Sequence, residues 1–231
     1  MLLNPHPDLR VSKLSLGAEG APLLVIDELV REPERLVRKA ATSHFTVQSP
    51  MFPGIRAPAP LSYRHFLEAT LNPLLEECFG LQPGRFTFPM CHFSLVTLPP
   101  GKLSFLQRVP HVDSVGDGLA TVHYLFHGEW GGTAFYRHRG SGFEYIDLPR
   151  RDPYFRSLEQ ESRRSDATGE GYIDDDTALF ERIAQVDGVF NRMLVYRRNS
   201  LHSGCIDNAR VPPADPLAGR LSINTFIDVV H

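Results

Sequence analysis

Apolar residues in this chain follow two rhythms, and the change between them falls near residue 85. Before it, the run "PLLVIDELV" at 22–30 predicts a strand that passes into a helix over 32–41, where Leu36, Val37 and Ala40 recur at helical spacing. A proline-rich loop follows, with Pro50, Pro53, Pro58 and Pro60. Ser62 is placed to cap a second helix whose Phe66, Leu67, Leu71, Leu74, Leu75 and Cys78 share one face, with Pro73 as a kink and Gly80 as the stop. From Arg85 the period falls to two. Phe86, Phe88, Met90, His92, Ser94 and Val96 recur with a period of two, which predicts one or two strands with a break at Pro89.

Further strands are predicted over 119–126, 133–137, 143–148, 193–196 and 220–229, separated by turn signals such as Gly116-Asp117-Gly118 and Gly131-Gly132. Many short strands with close turns point to a mainly β sandwich, barrel or jelly roll. The segment 150–177 turns polar, with the Arg163-Arg164 pair and the run Asp174, Asp175, Asp176. It reads as an insertion and a candidate lid, followed by a helix over 177–186. No repeat or linker divides the chain, so the expectation is one domain over 1–231. Residues 1–84 would supply an N-terminal strand and supporting helices, and 85–231 the β core.

Composition narrows the classes. Hydrophobic residues make up 42% of the 231, enough for a substantial core, and a formal charge of -3 gives no pull toward nucleic acid or anionic membrane. Cys78, Cys91 and Cys205 have neither CxxC nor zinc-type spacing. With no signal-peptide pattern at the start and no long apolar run, the expectation is a soluble cytoplasmic protein with reduced thiols. No heptad or exposed amphipathic stripe marks an oligomer interface, so the oligomeric state is left unassigned.

Candidate chemistry lies in the second half. His111-Val112-Asp113, His202 and Arg220-Leu221-Ser222 follow one another, each in or beside a strand-like run. On a strand, positions two apart share a face, so His111 and Asp113 could reach one ion, with His202 arriving from a strand end. Two imidazoles and a carboxylate suit a non-haem Fe(II) centre with open positions. Alone the HxD means little: with ten histidines it is expected by chance about 0.6 times. Its company gives it weight. Arg220 and Ser222 stand side by side on one strand face, where a guanidinium and a hydroxyl can hold a carboxylate; the plainer alternative is a surface ion pair.

Other groups read as structural. His123 and His127 on an extended strand lie about 13 Å apart, too far to chelate one ion, and are expected to line a cavity or the core. The Asp174–176 run lacks the glycine and spacing of a calcium loop and reads as exposed. There is no GxSxG elbow, Ser203 points away from its neighbour His202, and Cys205 reads as a buried structural thiol. Trp130, Tyr136, Arg137 and His138, with segment 150–177, are candidates to rim the site.

The stretches "PHVDS", "GDGLATVHYLF", "GGTAFYRH", "LVYRRNSLHSG" and "GRLSINTFI", spanning about 86–229, resemble the 2-oxoglutarate and Fe(II)-dependent dioxygenases, most nearly the prolyl-4-hydroxylase-like branch. The N-terminal "LLVIDELVREPERLVRKAA" is similar to the opening of that branch. The resemblance implies a double-stranded β-helix, a cupin-like jelly roll with flanking helices. It makes His111, Asp113 and His202 the iron ligands and catalytic centre. It assigns Arg220, assisted by Ser222, to the distal carboxylate of 2-oxoglutarate, and Tyr124 to the cosubstrate as well. The implied cofactors are Fe(II), 2-oxoglutarate and O2, with ascorbate a candidate accessory reductant. The implied reaction hydroxylates an unactivated C–H bond of a small-molecule or peptide substrate, releasing succinate and CO2.

Arg220 lies 18 residues beyond His202, a longer gap than the branch usually has, which leaves Arg210 as the nearer alternative. Two other classes stand beside the oxygenase: a non-catalytic, sensor-type cupin-like module that binds metal or ligand, and a cupin-like metalloenzyme without a cosubstrate. The Arg220/Ser222 pair argues against the latter.

Overall fold

The computed structural model describes residues 2–162 and 169–230. The chain begins with a hairpin of β1 (Arg10–Leu16) and β2 (Ala21–Asp27), then α1 (Glu34–Ala41), β3 (Gly54–Pro58), α2 (Leu61–Leu71), α3 (Leu75–Phe79), the long β4 (Arg85–Val96) and one turn of helix, α4 (Phe105–Arg108). β5 (Leu119–Tyr124), β6 (Thr133–His138), α5 (Leu148–Ser162), β7 (Phe180–Val186), β8 (Met193–Arg197), β9 (His202–Gly204) and β10 (Leu221–Val230) complete it. Every strand pairing is antiparallel. A seven-stranded sheet runs β1-β2-β8-β5-β10-β4-β3, and a three-stranded sheet runs β7-β6-β9.

Alternation along the strands builds the layers. Leu24, Ile26, Met193, Val195, Leu119, Ile223 and Phe93 turn outward from the large sheet and pack on Leu36, Phe66, Leu67 and Leu71 of the helices. The opposite face carries Leu23, Val25, Leu194, Tyr196 and Val122 toward Phe135 of the small sheet. α5 covers the other side of that small sheet, where Tyr154 and Leu158, four residues apart on one helix face, meet Tyr136 and Phe180. Removing a fully buried leucine such as Leu36 from these layers costs roughly 2–5 kcal/mol.

Several expectations change at this level. Ser62 lies inside α2, whose N-cap is Pro60 with no side-chain cap. Pro89 does not break β4; it falls where the pairing with β10 slips between Met90 and Thr87, a bulge that spares the missing N–H. The helix foreseen over 177–186 is strand β7, because the small sheet needs a partner for β6 and tertiary pairing overrides local preference. Residues 143–148 form no strand: Tyr145 makes a single bridge to Ser200 and α5 starts at Leu148. The front of the polar segment is therefore a helix packed behind the small sheet rather than a lid, and the Arg163-Arg164 pair lies outside the described residues. No described helix is long and apolar enough to cross a membrane.

Candidate metal centre

His111 and His202 are fixed by each other's backbone. The His111 N–H donates to the His202 carbonyl at 2.9 Å and the His202 N–H returns the bond at 3.0 Å, an isolated antiparallel bridge. Such a reciprocal pair sets side chains of opposed residues on one face, and the two rings lie 4.4 Å apart, centroid to centroid. Asp113 comes in separately: its N–H donates to the Arg198 carbonyl at 2.8 Å, just past the end of β8. The His-x-Asp pair is thus not carried on a regular strand as its spacing suggested. Two independent backbone anchors do the work instead.

One nitrogen or oxygen from each of His111, Asp113 and His202 falls within 4.8 Å of the others. Asp113 Oδ1 is 3.8 Å from His111 Nε2, and Oδ2 is 3.6 Å from His202 Nε2, both beyond hydrogen-bond range. His202 Nδ1 lies 2.9 Å from the Ser200 carbonyl, which makes that nitrogen the donor and leaves the Nε2 lone pair facing the gap. Solvent reaches His111 through the cavity, but the surrounding protein strips it of bulk water. Burial, with His202 and Arg56 nearby, lowers its imidazole to about 3. Burial raises the Asp113 carboxyl against the opposing pull of His202, Arg56 and Arg198. The neutral His111 imidazole is ready to ligate, and a poorly solvated carboxylate gains from a cation.

The trio opens on a cavity of about 340 Å³ between the sheets. Arg220 lines it and is 5% exposed. Its Nε donates to the Trp130 carbonyl at 2.9 Å and its Nη2 to the Gly132 carbonyl at 2.7 Å. Gly131 makes that turn feasible: its φ is +73° and a Cβ there would meet the Cys205 carbonyl oxygen at 1.7 Å. Arg210 is exposed, stacked on Trp130 with its guanidinium 4.9 Å from the ring centre, and lines no part of the cavity. Ser222 is buried with its hydroxyl donating to Asn224 Oδ1 at 2.7 Å, and Asn224 reaches the cavity. Tyr124 sits one layer back, its hydroxyl 2.7 Å from Thr133 Oγ1, while Thr133 lines the wall.

The proposed rim is elsewhere. Tyr136 and His138 alternate onto the outer face of β6 beneath α5, Arg137 pairs with Glu144 and Glu181, and Trp130 gives its ring N–H to the Ala218 carbonyl. From segment 150–177 Tyr172 reaches the cavity. His123 is core as expected, but His127 lies beyond β5, exposed and stacked on Phe190. Asp174, Asp175 and Asp176 are exposed, and burial pushes the Cys205 thiol up to about 11, which disfavours a reactive thiolate. Sequence reasoning missed Arg56 and Thr133 on the cavity wall. β3 is five residues in a proline-rich stretch with no alternation to read, and only the pairing register shows where Arg56 points.

A family model matches residues 7–227 of the chain. The chain belongs to DUF6445, a family of unknown function. No curated protein matches this DUF6445 chain. Among solved structures, the fold is shared with HygX from Streptomyces hygroscopicus, crystallised with nickel and 2-oxoglutarate, at 14% identity and a TM-score of 0.50, covering 90% of this chain and 83% of HygX. The non-heme alpha ketoglutarate dependent epimerase SnoN from nogalamycin biosynthesis matches at 16% identity and a TM-score of 0.44, over 86% of this chain and 70% of its own.

Proposed function

We propose that this DUF6445 chain is an Fe(II)- and 2-oxoglutarate-dependent oxygenase, a jelly-roll enzyme of the prolyl-4-hydroxylase-like kind. It would hydroxylate an unactivated C–H bond of a small-molecule or peptide substrate and release succinate and CO2. The observation that carries this reading is the trio of His111, Asp113 and His202, with donor atoms within 4.8 Å and facing a cavity that also holds a buried guanidinium. The donor set fits the ion: two imidazoles and one carboxylate leave positions open for other ligands. The fold shared with HygX, which binds nickel and 2-oxoglutarate, supports the same assignment.

In this reading His111, Asp113 and His202 hold the iron, and the Ser200 carbonyl keeps the His202 ring oriented through Nδ1. Arg220 holds the distal carboxylate of the cosubstrate, its remaining N–H groups aimed by the two carbonyls that fix it. Tyr124 steadies Thr133 on the wall, and Phe226 and Tyr196 keep the chamber dry. When bound, iron with 2-oxoglutarate supplies oxidative decarboxylation coupled to C–H oxidation; the chain contributes binding, orientation and exclusion of water.

Anaerobic addition of Fe(II) and 2-oxoglutarate should give a weak visible charge-transfer band that His111→Ala abolishes, and admission of oxygen should release succinate. No band from the intact protein would sink the proposal. A band without succinate, under any substrate tried, would move the chain to the sensor-type module.

A further inference from the structure

Arg56 differs from the other cavity arginine in that, among the described residues, its guanidinium makes no hydrogen bond or ion pair. It lies opposite Ser94 of β4, and Ser94 lies opposite Ser222 of β10, which in turn faces Tyr124 of β5. Directly opposed residues share a face of the sheet, so Arg56 stands in a polar row on the side that looks toward the small sheet. It lines the same cavity as His111 and Asp113. Gly54, two residues earlier, lets β3 close on β4: a Cβ there would meet the Leu95 carbonyl oxygen at 1.9 Å.

The Arg56 guanidinium lies over the Phe52 ring, 4.0 Å from its centre. Its Nε is buried without a hydrogen-bond partner, and so is Ser94 Oγ across the strand pair. Among the described residues no carboxylate forms an ion pair with it, whereas Arg220 is bonded to two carbonyls. A guanidinium on the cavity wall whose buried Nε has no hydrogen-bond partner is costly to leave so and suited to one occupant, an anion.

The charges count the same way. Two arginines and one aspartate line the chamber. A divalent ion and doubly charged 2-oxoglutarate cancel each other, which leaves one positive charge without a counter-ion. A substrate bearing a single carboxylate would complete the balance.

We propose that Arg56 docks a carboxylate of the oxidised substrate and so selects acidic molecules. This rests on the oxygenase reading and adds the substrate class to it.

The test is calorimetric titration of Ni(II)-loaded, 2-oxoglutarate-saturated protein with a set of carboxylic acids, each beside its primary amide, from benzoate to short peptides. At least one acid should bind about tenfold or more tightly than its amide, the worth of a charge-assisted pair. Arg56→Gln should erase that preference while 2-oxoglutarate affinity changes less than about twofold. Arg56→Met, which keeps the stem over Phe52, replaces it if the glutamine variant does not fold. Intact protein that treats every acid and amide alike overturns the proposal, as does a preference that survives Arg56→Gln. A variant that loses 2-oxoglutarate instead assigns the carboxylate to the cosubstrate and also overturns it. The same series on metal-free protein separates the two readings. There the acid preference persists on Arg56, whereas failure of the oxygenase reading shows as no uptake of 2-oxoglutarate by the Ni(II)-loaded protein.

Discussion

His138 and His202 are buried imidazoles on neighbouring strands of one small sheet, yet they are set up for opposite purposes. His138 closes β6 on its outer face, and its own chain satisfies both ring nitrogens: Nδ1 is 2.9 Å from Ser141 Oγ and Nε2 is 2.7 Å from Glu161 Oε2. His202 opens β9 opposite Phe135, on the inner face. One nitrogen is held by the Ser200 carbonyl; the other lies 3.6 Å from Asp113 Oδ2, too far for a hydrogen bond, beside the His111 ring. One step of strand alternation separates a structural histidine from one free to ligate. Saturation of the ring, rather than residue type or depth, marks the difference.

The strongest way to break this comparison is to remove each ring in turn. His202→Ala should weaken Ni(II) or Co(II) binding by more than about 100-fold, beyond the loss typical of an outer partner. His138→Ala should leave metal affinity within about threefold but cost roughly 2–4 kcal/mol, as a cavity opens and Glu161 loses its donor. That is a fall in Tm of about 10 °C for a chain of this size. Metal titration and thermal melts of both variants decide it. Equal metal loss in folded His138→Ala would end the distinction.

A finer test replaces the acid beside each histidine by its amide. Asp113 is 13% exposed at its side chain and accepts no hydrogen bond among the described residues, so its carboxylate is poorly solvated in the metal-free protein. Asp113→Asn should raise the Tm of metal-free protein by about 2–4 °C, roughly 1 kcal/mol, while metal affinity falls. Glu161→Gln should act in the other direction, lowering Tm by a similar amount through the weakened bond to His138. Melts with and without Ni(II) read both; a destabilised Asp113→Asn would show that the carboxylate is already satisfied.

This contrast explains what the sequence could and could not disclose. Short, largely apolar runs bounded by turns mark β5 and β8, which are buried on both faces, and partial alternation marks β10. β1 escapes both signals because six of its seven residues are exposed, an edge strand with Lys13 outward that needs no hydrophobic face. The trio of His111, Asp113 and His202 was legible as residue types in order. The means of bringing them together was not, since an isolated bridge and an N–H bond to the Arg198 carbonyl carry no side-chain signature. Nor can a sequence say whether a ring nitrogen is taken. His138 sits in a run as strand-like as that of His123, and its partner Glu161 comes from a helix 23 residues on, in a segment whose polarity suggested an inserted lid.

His123 offers the subtlest test, because it is saturated like His138 but pays for any added proton. Asn191 gives its Nδ2 to the Val30 carbonyl and the Glu28 carboxylate, so its Oδ1 accepts, and His123 Nε2 at 3.3 Å is the donor to it. The Tyr63 hydroxyl, 3.0 Å away, then donates to Nδ1. The ring is thus held neutral, and burial lowers it to about 4 despite the help of Asn191. An unfolded histidine titrates near 6.5, so the unfolded chain takes up the proton first as pH falls. The stabilisation is complete above about pH 6.5, declines between there and about pH 4, and then levels off. The loss is on the order of 3 kcal/mol across that window. His123→Gln cannot titrate, so its deficit relative to the natural chain should be largest at pH 7 and shrink steadily toward pH 4 in denaturant melts of metal-free protein. His111 is present in both chains and cancels from the difference. A deficit that stays constant with pH would mean that the ring protonates freely in the fold, and that saturation by Tyr63 and Asn191 does not hold it neutral.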